Sequence, residues 1–96
     1  MYVVKLTYCA PLERVDAALE AHRAFLKRHF EAGVFLIAGP RIPREGGVIL
    51  ATGIDRAQLD AILATDPFAE QQLATYEITE FSAARLAPGI DVPNLK

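Results

Sequence analysis

The chain has 96 residues, 52% of them hydrophobic and 23% charged, with one cysteine and no tryptophan. That length supports one domain, since a single core needs roughly 50–200 residues, and an apolar share above the usual ~45–50% excludes a disordered chain. Ten basic against twelve acidic residues give a net charge of −2, without the Lys/Arg stripe of a duplex-binding protein.

Tyr2, Val4, Leu6 and Tyr8 alternate with Val3, Lys5 and Thr7, a period of two that reads as a strand with a less buried Lys5/Thr7 side. Ala10-Pro11 ends it and suits a helix start. From Leu12 to Ala32 the period becomes 3.6, with Val15, Ala18, Leu19, His22, Phe25, Leu26, His29 and Phe30 along one side, so a helix of about five turns is expected, closed by Gly33. Val34–Ala38 is a continuous apolar run before Gly39-Pro40 and reads as a central strand. The polar segment Arg41–Gly46 has hairpin turn residues, and Gly47–Thr52 is a further apolar strand. Asp55 can cap a helix running through Leu59, Ile62 and Leu63. Asp66-Pro67-Phe68 interrupts that helix and starts a short turn; Thr75–Phe81 reads as the last strand. After it, periodicity is lost in a segment containing Pro88, Gly89 and Pro93, so the domain is assigned to residues 1–84 and a C-terminal tail to 85–96.

The order strand, helix, strand, strand, helix, strand most simply makes an α+β, ferredoxin-like βαββαβ sandwich with a four-stranded antiparallel sheet and both helices on one face. The other face then lies bare, and a homodimer through that face is the expected remedy. The longest apolar runs are four or five residues, against about 20 for a membrane span. No cationic leader precedes the first strand. A cytoplasmic protein with no membrane or nucleic-acid partner is the expectation.

Three places could carry chemistry. His22 sits near the middle of the apolar stripe, where an unpartnered imidazole costs on the order of 1–3 kcal/mol. It is either a core histidine held by a backbone carbonyl or a proton-transfer group. His29 lies two turns further on the same side, so spacing does not choose between them, and at about 10 Å apart along the axis they cannot share a metal. Asp66 is either the N-cap of a helix with Pro67 at its first position or the carboxylate that orients an imidazole from the long helix. Gly39-Pro40 followed by Arg41 is a strand end and turn, or a site where Arg41 or Arg44 clamps the carboxylate of a small acid. Cys9 can form neither an internal disulfide nor a cysteine-based zinc site, and reads as a small hydrophobe. No phosphate loop, paired-cysteine motif or His-x-x-x-His spacing occurs.

The segments Tyr2–Tyr8, Ala21–Leu26, Gly33–Pro40, Gly46–Leu50, Asp66–Phe68 and Tyr76–Ile78 before Phe81, in this order and spacing, resemble the YCII-related (YciI-like) family up to about Ala84. The resemblance implies a dimeric α/β barrel and an active site centred on a histidine and an aspartate. These match His22 and Asp66, which breaks the tie with His29. Relatives often carry a serine where this chain has Ala38, so a hydroxyl that could bind substrate is absent. The leading expectation is a cofactor-independent isomerase- or lyase-type enzyme for a small organic acid, lactone or cyclic enol. His22 would move the proton and Asp66 would orient the imidazole or favour its charged form, with Gly39, Pro40 and Arg41 contacting substrate and no metal. The competing reading is a non-catalytic dimeric module that binds a ligand or assists an enzyme, with His22 and Asp66 as a packing pair.

Overall fold

The structure is a computed structural model that describes residues 1–92. Its elements are β1 (Tyr2–Tyr8), α1 (Leu12–Glu31), β2 (Phe35–Pro40), β3 (Gly46–Ala51), α2 (Arg56–Leu63), α3 (Pro67–Glu70) and β4 (Ala74–Glu80). The strands form one sheet in the order β2-β3-β1-β4, antiparallel at every pairing. This is the ferredoxin-like arrangement expected from the element order.

Alternation in β1 sends Tyr2, Val4 and Leu6 into the core and leaves Lys5 and Thr7 exposed. Residues of α1 at helical spacing, Val15, Ala18, His22 and Phe25, face the same core, joined by Leu59 and Leu63 of α2. Phe25, Phe35 and Phe68 are each 1% exposed, and burying a side chain of that size contributes about 1.5–3 kcal/mol. Gly33 ends α1 with a φ of 77°. Its N–H donates to the Phe30 carbonyl, and the next N–H, of Val34, donates to that of His29, the paired bonds of a Schellman turn. Asp55 caps α2 in a reciprocal box with Gln58.

One expectation is corrected. The apolar run at 34–38 reads as a central strand, yet β2 lies at the sheet edge. A bulge between Phe35 and Ile37 turns Phe35 toward the helices and Ile37, 66% exposed, to the open face. Both sides of the strand are therefore apolar without the strand being flanked on both edges. On that open face the register places Val3, Leu50 and Ile37 side by side, with Val48 next to them. Beyond β4 the described residues of the tail form neither helix nor strand; residues 93–96, assigned to the tail, lie outside the described residues. Among the described residues no helix is long and apolar enough to cross a membrane.

Candidate active site

Asp66 follows the end of α2 and serves as the N-cap of α3, with Pro67 at the first helical position and its carboxylate accepting from the Phe68 N–H at 3.0 Å. The same oxygen, Oδ1, accepts from His22 Nδ1 at 2.8 Å, and Oδ2 accepts from the Tyr76 hydroxyl at 2.6 Å. Cap and imidazole partner, alternatives in the sequence, are one residue doing both. Asp66 is completely buried, and all three neighbours donate to it, which is the acceptor role of an ionised carboxylate.

Tyr76 reaches this carboxylate because β4 alternates, and its register pairs Tyr76 with the inward-facing Leu6 of β1. Burial foremost, then the bond to Asp66 and its charge, push the Tyr76 phenol well above its ordinary range. It therefore stays protonated and remains a donor. Tyr76 was not singled out from sequence as a site residue; the available signal was a tyrosine on the inward register of a strand, whose hydroxyl must find a partner when buried.

His22 is fixed on its flat side as well. Its ring stacks on Phe68 with centroids 3.9 Å apart and planes 6° from parallel. Because Asp66 takes the Nδ1 hydrogen, Nε2 of the neutral ring is a free acceptor. Nε2 has no partner within the described residues and is not sealed from solvent, since the one buried side-chain atom left without a partner is His29 Nε2. His22 lines a cavity of about 480 Å³ between α1 and the β2–β3 hairpin. The cavity exists because small residues occupy inward positions of the hairpin: Ala38 opposite Ile49, and Gly47 opposite Leu6 and Pro40. A Cβ at Gly47 would stand 3.1 Å from the Gly39 carbonyl oxygen, so even the smallest side chain there crowds the hairpin.

The other expected residues separate. Gly39 and Pro40 line the cavity. Arg41 does not: its guanidinium bonds Thr7 Oγ1 at 3.2 Å and Glu45 at 3.4 Å, with Thr7 on the open face of the sheet. Arg44 lines the cavity instead, bonded to Asp16 at 2.6 Å and held over the Tyr8 ring at 5.7 Å. Arg23, next to His22 on α1, also lines it. His29 is a different kind of histidine. It packs among Phe25 and Phe35, its Nε2 is buried without a partner, and burial first, with Arg28 nearby, lowers its basicity below the ordinary 6.5. Among the described residues no group of three His, Cys, Asp or Glu side chains could hold a metal ion.

A family model described as the YCII-related domain matches residues 1–82. No curated protein matches the chain in sequence. Among solved structures it is similar to a 5-chloro-2-hydroxyhydroquinone dehydrochlorinase from Burkholderia phenoliruptrix AC1100, in complex with 2,5-dihydroxybenzoquinone. That likeness has a TM-score of 0.70 at 15% identity, over 84% of this chain and 93% of that one.

Proposed function

Because the chain belongs to the YCII-related domain family, we propose that it is a small-molecule enzyme in which His22 moves a proton on an organic acid, lactone or cyclic enol. The observation that carries this reading is the pairing of His22 Nδ1 with a fully buried Asp66 while the ring lines an open cavity. The place of His22 among the lining of a cavity supports a chemical role beyond packing. The fold neighbour, by its name a dehydrochlorinase, is bound to a quinone ring and supports an elimination on a flat cyclic compound.

The chemistry follows from the geometry. Nε2 takes a proton from a carbon next to a carbonyl, and the electron pair of that C–H bond moves toward the carbonyl oxygen to give an enolate. In an isomerisation the imidazolium returns the proton at another carbon. In an elimination the electron pair expels a leaving group from the neighbouring carbon, and the proton passes to solvent. Asp66 holds the ring in the tautomer that exposes the Nε2 lone pair and stabilises the imidazolium once formed. Tyr76 and the Phe68 N–H hold Asp66, and Gly39 and Pro40 shape the wall.

His22→Asn is expected to lower turnover of hydroxyquinol-type substrates by about 10²–10⁴-fold, the usual worth of a positioned acid–base group, with circular dichroism and oligomeric size unchanged. Undiminished turnover in that variant would falsify the dyad. We further propose that two copies pack through the open sheet face, where Ile37 and Val48 are 66% and 40% exposed.

A further inference from the structure

Among the described residues, the charged side chains that line the cavity are Arg23 and Arg44, and no aspartate or glutamate joins them. Arg44 already has a carboxylate, Asp16, at 2.6 Å. Arg23 has none within ion-pair distance among the described residues. The remaining wall is largely apolar, with Leu6, Leu19, Leu26, Ile49 and Phe68. Phe68 and His22 lie almost parallel in their stack, at 6°. Cations of one sign in a low-dielectric cleft concentrate anions, and a guanidinium presents a planar fork that fits the two oxygens of a carboxylate.

We propose that the cavity selects flat ring carboxylates, with Arg23 taking the carboxylate and the apolar wall taking the ring. This narrows the substrate class of the proposed activity and rests on the cavity being its substrate site. Arg44, on the hairpin, is neutralised by Asp16 of α1, which leaves Arg23 as the cation open to a ligand.

The test is calorimetric titration at low ionic strength with benzoate and with benzamide, its uncharged counterpart of the same shape. Benzoate is expected to bind about tenfold more tightly, the scale of one charge-assisted pair in a partly wet site. Arg23→Gln, on an exposed helix position, should bring the two probes to the same affinity. Lys27→Gln, which removes the same charge from α1 away from the cavity, should leave the preference as it is. Equal affinities in the unaltered protein, no saturable benzoate binding, or an undiminished preference in Arg23→Gln each overturn the proposal. The readout is binding, so it separates from the dyad. If His22→Asn keeps full turnover while benzoate still outbinds benzamide, the dyad fails and the anion site stands. Loss of turnover in that variant with no benzoate preference has the reverse meaning.

Discussion

Tyr76→Phe removes one oxygen and nothing else from the arrangement behind His22. The lost bond, 2.6 Å from the Tyr76 hydroxyl to Asp66 Oδ2, is the one that this carboxylate oxygen makes among the described residues. Asp66 is 0% exposed, so water cannot replace the donor without the structure opening. The phenylalanine ring fills the same space, which removes any cavity contribution. What remains is the cost of leaving a buried charged acceptor without its donor, about 1.5–3 kcal/mol. Against a typical total of roughly 5–15 kcal/mol the variant stays folded, and its urea midpoint falls with no change in slope. For a domain of this size the melting temperature drops by about 4–8 °C for each kcal/mol. The sign of the pH dependence is also set. The Tyr76 phenol is held above its ordinary 10.0, by burial first and then by Asp66. The unfolded chain therefore loses this proton near pH 10 while the folded one keeps it. The bond's contribution is complete below pH 10 and declines above it, by at most about 1.4 kcal/mol per pH unit. The gap between the two proteins should narrow as pH rises past 10. A stability change under about 0.5 kcal/mol, the ordinary range of an inert surface substitution, would refute the claim that Tyr76 holds Asp66.

His29→Phe tests the other histidine. Burial lowers His29 below 6.5, so under that pH the unfolded chain binds a proton that the fold refuses, and stability falls as pH falls. The variant should lose less stability than the unaltered protein between about pH 7 and about pH 5; the same loss of stability in both proteins over that range would show that the fold does not disfavour the charged His29. Ile37→Lys places a charge on the open face, on its edge strand β2, and should convert the proposed dimer to a monomer in sedimentation velocity. A dimer that persists in the variant means that the copies meet elsewhere.

Local spacing was enough to place nearly every element. The period of two in Tyr2–Tyr8, the 3.6 period of Leu12–Ala32 and the caps at Gly33, Asp55 and Asp66 depend on neighbours within a few residues, and the structure has a strand, a helix (Leu12–Glu31) and caps there. The small residues Gly39 and Pro40 were legible as the end of a strand, and they line the cavity. Other decisions depended on contacts that no short window contains. His22 and His29 share one stripe of α1, and only the position of Asp66, 44 residues from His22, distinguishes a paired imidazole from one whose buried Nε2 has no partner. Tyr76 joins them from the far edge of the sheet through its register with β1. Arg41 and Arg44 belong to the same hairpin, and their separate fates follow from which partner each meets, Thr7 on the open face or Asp16 on α1. The apolar run of β2 could not reveal its place in the sheet, because a bulge makes both faces of an edge strand apolar. The sequence by itself determined the elements, since hydrophobic period and capping act over one or two turns. Only the tertiary structure decided which polar groups meet, because a buried carboxylate must gather its donors from wherever in the chain the fold brings them.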